Sequence, residues 1–470
     1  MKYIKPLLVW SVPILVLTIP IHWIPIEGLT IIQQRVIAIF LFAALSWVFE
    51  SIPIYATSIL IILFELVAIS DQSFAPLLAG KESEAFGLLM SYKEIMATFA
   101  SPIILLFLGG FFLALAATKY RLDQNMAGIL LKPFGTSPKM VMLGLMLITA
   151  IFSMFMSNTA TTAMMLSILA PVLVYFDAGD KGKIAFALSI PMAANIGGMG
   201  TPIGTPPNAI ALKYLTGENV ISFGQWMSFG IPLVVVLLAI AWILLIKMFP
   251  IQKRVLELDV KSRFQKGRKA TIVYVTFILT ILLWLTDFIH GMNAYVVAMI
   301  PVGVFLAFNI ISKEDIKKLS WDVLWLVSGG IALGLALDKT GLASKLVGTI
   351  PFDSLPAIGI MLMATILAVL MANFMSNTAT ANLLLPIIVA LGVSIQSIES
   401  LGGAKGLILA VTFSCSLGMA LPISTPPNAL AHATGMIETK DMARSGIVVA
   451  SIGLLLIFVM MYILLTVGFI

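Results

Sequence analysis

A chain of 470 residues that is 60% hydrophobic and only 11% charged is not an ordinary soluble domain, which carries about a quarter charged residues. Its mean hydropathy of +1.07 and its recurring apolar runs make it an all-α polytopic membrane protein, since a barrel would alternate over ~10-residue segments. One cysteine excludes an intrachain disulfide, three histidines argue against a His-based metal centre, and loop orientation explains the net charge of +6 without a nucleic-acid partner.

The first apolar run follows Met1-Lys2-Tyr3-Ile4-Lys5 and lacks a small-residue cleavage site, so 7–26 reads as a retained span. Crossings follow at 34–52, 53–70 and 100–118. The segment 139–176 is about 38 residues, too long for one crossing, and carries Ser157-Asn158-Thr159 near its middle. It reads as a helical hairpin that enters the bilayer and returns to the same side. Segments 184–214, 225–249, 271–287, 292–311 and 321–338 are ordinary crossings. The long form recurs at 356–395, centred on Ser376-Asn377-Thr378, and 406–432 and 446–469 complete the chain. The result is eleven transmembrane helices plus two re-entrant hairpins.

With the N-terminus inside, about three-quarters of the 28 Lys and Arg residues fall on the cytoplasmic side. The densest cluster is Lys253, Arg254, Lys261, Arg263, Lys266, Arg268 and Lys269. This orientation places the C-terminus outside a cytoplasmic membrane, and it opens the two hairpins from opposite sides.

The two long segments belong to a larger duplication. Ser-Asn-Thr recurs after 219 residues, and "GTPPNAIAL" at 204–212 answers "STPPNALAH" at 424–432, an offset of 220. Gly198-Met199 matches Gly418-Met419, Pro202-Ile203 matches Pro422-Ile423, and Gly109-Gly110 matches Gly329-Gly330. A single Ser or Thr in a membrane helix often only bonds back to its own backbone. Four motifs in register on oppositely inserted halves outweigh that reading. They make an inverted repeat, the architecture of secondary transporters, whose sites lie where the repeats meet.

The polar words have a chemistry. Pro206-Pro207 and Pro426-Pro427 remove consecutive N–H donors and break their helices, freeing carbonyls near Gly200–Gly204 for a cation. Helix N-termini after the tips suit an anion. Asn158, Thr159, Asn377 and Thr378 supply neutral donors, so two facing copies would hold a molecule with an anionic group at each end. Na⁺ held by hydroxyl, amide and carbonyl oxygens is one way to balance its charge. Ser153 and Ser157, four apart, would share a helix face, with Asn158 and the Gly200 carbonyl completing an oxygen cage. In the second half Ala372 replaces Ser153, which leaves Asn377 with the carbonyls of Ala372, Met375 and Ala420 as a weaker site. His432 or Lys213 could act as counter-charge instead, although Lys213 reads more simply as an interfacial residue that snorkels. Glu65 is an intramembrane carboxylate outside the motifs, and therefore a functional candidate by default.

Paired Ser-Asn-Thr and paired Thr-Pro-Pro-Asn in long membrane segments resemble the divalent anion/Na⁺ symporter family, which includes bacterial dicarboxylate transporters of the INDY type. The resemblance covers most of the chain. It implies a homodimer in the lipid bilayer, with a scaffold domain formed by 1–136 and 251–350. It implies a transport domain formed by 137–250 and 351–470 that moves as an elevator. It assigns substrate to Asn158, Thr159, Asn377, Thr378 and the helix break at Pro422, whose repeat partner is Pro202. It assigns Na⁺ to Ser153, Ser157, Asn158 and a carbonyl near Gly200, and to Asn377 with carbonyls near Ala372, Met375 and Ala420. Family symporters tend to carry a hydroxyl where this chain has Ala372, so Na⁺ symport and dicarboxylate exchange both stay open.

The expected function is secondary transport of C4-type dicarboxylates such as succinate, malate or fumarate, extending to 2-oxoglutarate, with sulfate as the alternative substrate. No cofactor beyond the coupling ion is expected. An intramembrane enzyme is not, because the chain has no HExxH and nothing pairs His22, His290 or His432 with a serine.

Overall fold

The computed structural model describes residues 4–173, 176, 179–256, 264–349 and 355–470. Among them helix is the only regular structure apart from one bridge between Ser70 and Met90. Eight helices are long and apolar enough to cross a membrane, and five shorter apolar helices accompany them. Residues 1–3, Lys261 and Arg263 lie outside the described residues, as do 174 and 175 of the first long segment and 350–354 at the expected domain boundary.

Both long segments fold back on themselves. The first becomes Pro138–Ser153 and Asn158–Leu173, the second Ala357–Phe374 and Asn377–Ser394, with the arms of each pair packed together. The segments bearing Thr-Pro-Pro-Asn are each cut in two: Gly182–Gly198 with Pro206–Tyr214, and Gly403–Cys415 with Pro426–Ala433. Proline suits the first helical positions because its missing N–H would have no partner there. The same pair cannot continue the preceding helix.

The asparagine of each motif repairs the break. Asn208 Nδ2 donates to Gly198 O at 3.1 Å and Thr201 O at 2.8 Å. Asn428 Nδ2 donates to Met419 O at 2.8 Å and Leu421 O at 3.0 Å. Trp226 Nε1 covers Met199 O at 3.1 Å. Of the carbonyls expected to be free for a cation, Thr201 O is taken, as are Gly198 O and Met199 O just before them, because a buried carbonyl left unpaired is costly. Asn208→Leu removes a donor from Gly198 O and Thr201 O, and we expect a loss of about 2 kcal/mol, read as a lower melting temperature of the purified protein.

The halves interlock. Pro206–Tyr214 packs on Asn377–Ser394, while Pro426–Ala433 packs on Asn158–Leu173 and Gly182–Gly198. The glycine pairs set two further approaches. A methyl group at Gly109 would overlap the Ala298 backbone, and one at Gly329 would overlap Ser58, so helices Pro102–Lys119 and Trp321–Lys339 lie against Ala294–Ala307 and Ile54–Ala68 with no side chain between.

Two details depart from the hydropathy reading. The first span stops at Thr18, where Pro20 and Pro25 give a short turn instead of more helix. Two short helices, Leu122–Leu131 and Leu342–Gly348, stand at equivalent places after the glycine-pair helices. They are too short and too polar on one face to register as apolar runs.

Candidate functional site

The serine of Ser-Asn-Thr is an N-cap. Ser157 Oγ accepts from Ala160 N at 3.2 Å, and Ser376 Oγ from Ala379 N at 3.1 Å. The N–H groups of Asn158, Thr159, Asn377 and Thr378 occupy the first turn, where a helix supplies no acceptor. Thr425 Oγ1 caps its short helix in the same way, accepting from Asn428 N at 3.3 Å.

These three helix starts and that of Pro206–Tyr214 meet at one cavity of about 210 Å³. Ser157-Asn158-Thr159 and Ser376-Asn377-Thr378 line it, together with Thr205-Pro206 and Thr425-Pro426. Asn195 spans the halves, donating from Nδ2 to Thr425 Oγ1 at 3.2 Å and Asn428 Oδ1 at 3.1 Å. The remaining wall includes Tyr55, Phe107, Phe111 and Asp322, on helices outside the hairpin units. Motif reading passed over Asn195, although an asparagine inside the apolar run "LSIPMAANIGG" was a legible signal. The four wall residues carry no motif.

Oxygen atoms crowd beside each tip. Ser153 Oγ lies 2.5 Å from Asn158 Oδ1 and 2.7 Å from Ala194 O, and its single proton can serve only one of them. In the second half the Asn377 amide meets Cys415 O at 3.1 Å and Gly418 O at 3.3 Å. That amide either donates its NH₂ to these carbonyls or, turned about, forms a nest of three oxygens that a cation would stabilise. Hard oxygen donors of this kind fit Na⁺.

Several expected ligands stand elsewhere. The first arm ends at Ser153, and Ser157 begins the next, so the two serines share no helix face. The Gly200 carbonyl lies against Gly230, and both the methyl and the carbonyl of Ala372 lie against Gly418. Cys415 O and Gly418 O approach the Asn377 amide, and Ala194 O approaches Ser153 Oγ beside Asn158. His432 is turned to Thr439 Oγ1 at 3.2 Å and does not line the cavity. Pro202 lines a separate cavity with Leu106 and Tyr295, and Pro422 lines neither.

Charge and exposure complete the geometry. No Lys, Arg or His is among the described residues lining the cavity, and Asp322 is its one carboxylate. The two tips are unequally covered. Thr378 is 8% exposed and its whole helix is buried to Pro386, whereas Thr159, Ala160 and Ala163 are exposed. Asn382 secures the covered tip, donating from Nδ2 to Leu326 O at 3.2 Å with its amide against Gly330. A methyl group at Gly110, the repeat partner of Gly330, would meet only Ile203, at 3.6 Å. The second tip is therefore more closely covered than the first.

A family model described as the sodium:sulfate symporter transmembrane region matches residues 5–467. The sodium-dependent dicarboxylate transporter SdcS of Staphylococcus saprophyticus is 32% identical over 473 residues, covering 91% of this chain and 85% of that protein. The protein of the same name from Staphylococcus aureus strain USA300 is 31% identical over 472 residues, with the same coverage of 91% and 85%. The crystal structure of the Alcanivorax borkumensis YdaH transporter shares the fold, with a TM-score of 0.59 at 13% identity over 89% of this chain and 99% of that one.

Proposed function

This chain belongs to the sodium:sulfate symporter transmembrane family of divalent anion/Na⁺ symporters, and from that premise we propose that it moves C4-type dicarboxylates across the membrane by Na⁺-coupled symport. One observation carries the reading: four helix N-termini converge on a cavity that holds no fixed positive charge. The dipoles of all four and the free N–H groups at the two Ser-Asn-Thr starts attract carboxylates. They do not neutralise a dianion, and Asp322 adds to the negative charge. The balancing charge has to arrive with the substrate. The oxygen groups at Ser153–Asn158–Ala194 and at Asn377–Cys415–Gly418 are where Na⁺ would bind, supplying positive charge next to each Ser-Asn-Thr tip. The sodium-dependent dicarboxylate relatives support the same assignment.

In this mechanism Asn158 and Thr159 hold one carboxylate and Asn377 and Thr378 the other. The hairpin units, 137–250 and 351–470, move together as a transport domain against a scaffold made by the rest. The unequal covering of the tips supports an elevator cycle in which the two halves exchange roles. Movement with an empty site would drag unpaired polar groups through the barrier, so the loaded site is the mobile one. The positive-inside count supports an N-terminus inside the cytoplasmic membrane and a C-terminus outside, and the family resemblance supports a homodimer.

Uptake of labelled succinate into proteoliposomes tests the coupling. An inward Na⁺ gradient is expected to raise the initial rate about tenfold over K⁺, with no need for internal dicarboxylate. Uptake that ignores Na⁺ but requires internal succinate would assign exchange instead. Stronger competition by sulfate than by malate or fumarate would assign the other divalent anion.

A further inference from the structure

The cavity wall outside the hairpin units is apolar or aromatic with one exception. Helix Ile54–Ala68 contributes Tyr55, Pro102–Lys119 contributes Phe107 and Phe111, and Trp321–Lys339 contributes Leu326 and the carboxylate Asp322. Asp322 is exposed and forms no ion pair among the described residues, so no side chain there offsets its charge.

Its place on its helix gives that charge a consequence. Trp321–Lys339 begins after Ser320, so Asp322 is the second helical residue. A helix start attracts anions, and a carboxylate in the first turn answers that attraction from within the chain. The four other helix starts at the cavity carry Ser, Asn, Thr and Pro, which are neutral and leave the attraction for a guest. This fifth start is closed to a guest carboxylate by its own acid. The residue matching Asp322 at the repeat offset of 220 is Pro102, so the charge belongs to one half of the protein only.

The two Ser-Asn-Thr tips take the two ends of a dicarboxylate. A third carboxylate would be left to the remaining wall, where it meets apolar side chains or Asp322. Two like charges about 6 Å apart, at an effective dielectric constant of about 40, weaken binding about tenfold. We propose that Asp322 is a specificity-determining residue that sets the charge of the guest, admitting dicarboxylates and rejecting tricarboxylates. The inference rests on the dicarboxylate reading of this cavity and deepens it, because it names what the site excludes.

Competition against labelled succinate uptake in proteoliposomes, under a fixed Na⁺ gradient, tests it. The probes are propane-1,2,3-tricarboxylate and its monoamide, at a pH where every carboxyl group is ionised. They have nearly the same size and shape and differ by one negative charge. In wild type the monoamide is expected to compete about tenfold better than the tricarboxylate. Asp322→Asn keeps the shape and removes the charge, and it should bring the two probes to about equal potency. Asp322→Ser, a second neutral variant, should do the same, whereas Asp322→Glu should keep the gap. A role confined to helix stability would shift the melting temperature, or the uptake rate with either probe alike, and leave the ratio of the two probes unchanged. An unchanged ratio in both neutral variants would therefore overturn the proposal. Equal rejection of both probes by wild type would overturn it too, since that marks exclusion by size. If wild type takes up no succinate, the dicarboxylate reading and this inference fall together. Succinate uptake with an unchanged probe ratio removes only the role of Asp322.

Discussion

Asn377→Ala is expected to lower kcat/KM for succinate uptake about a hundredfold, and Asn158→Ala by a similar factor. Each amide is placed at a helix start where it can donate to a substrate carboxylate, and a hydrogen bond to a charged group contributes about 1.5–3 kcal/mol. A loss of about 2.7 kcal/mol corresponds to a factor of 100. The two variants should differ in their dependence on Na⁺. Asn158 Oδ1 stands 2.5 Å from Ser153 Oγ, so its removal opens the oxygen group and raises the Na⁺ concentration needed for half-maximal rate. Asn158→Asp is the informative companion. It keeps an oxygen beside Ser153 but sets a negative charge against the substrate, so tighter Na⁺ binding should accompany weaker succinate binding. Initial rates over both concentrations, normalised to folded protein, read all three. Rates within threefold of wild type for both alanine variants would remove the cavity from the transport path.

The polar words were legible because each is a local conflict. Ser-Asn-Thr in a 38-residue apolar run has no place in a straight crossing, and two consecutive prolines have none inside a helix. Such conflicts identify where backbone must turn, and the turns at 154–157 and 199–205 lie at those words. What the sequence left hidden was the route of each hydrogen bond. Asn208 was legible as part of its motif and Ala194 was not, but in neither case did the letters say that Asn208 caps Gly198 O and Thr201 O or that Ala194 supplies the carbonyl beside Ser153. These contacts join residues 7 to 41 positions apart, where tertiary packing rather than local pattern decides. The wall residues Tyr55, Phe107, Phe111 and Asp322 are ordinary members of their helices, distinguished only by where those helices cross. Glu65 was legible as an oddity, but the docking of Lys213 was not, because that residue reads equally well as an interfacial lysine until its ammonium is seen against Ile331 O.

Gly330→Ala and Gly110→Ala occupy matching places in the two repeats, and they are expected to push the protein in opposite directions. A methyl group at Gly330 would overlap the Asn382 amide, which is held by Leu326 O, so the closed contact on the second hairpin's side must loosen. Overpacking of this kind costs about 1–3 kcal/mol, enough to shift a two-state equilibrium by tenfold or more. A methyl group at Gly110 meets Ile203 at 3.6 Å, an ordinary contact, so the observed arrangement tolerates it. In the arrangement with roles exchanged, Gly110 would receive the first hairpin's second arm and be the crowded one. That mirrored contact also lacks a bond, because Ala163 stands where the second hairpin has Asn382. On the elevator reading proposed above, that difference would favour the observed arrangement at rest, and Ala163→Asn should supply the missing amide and reduce the bias. Cysteines at Thr159 and Thr378 report the balance. With no substrate, a soluble thiol reagent should label Thr159→Cys quickly and Thr378→Cys slowly, since only the first side chain is exposed. Adding Gly330→Ala should reverse the order, adding Gly110→Ala should sharpen it, and equal labelling in every background would show that the two tips do not alternate.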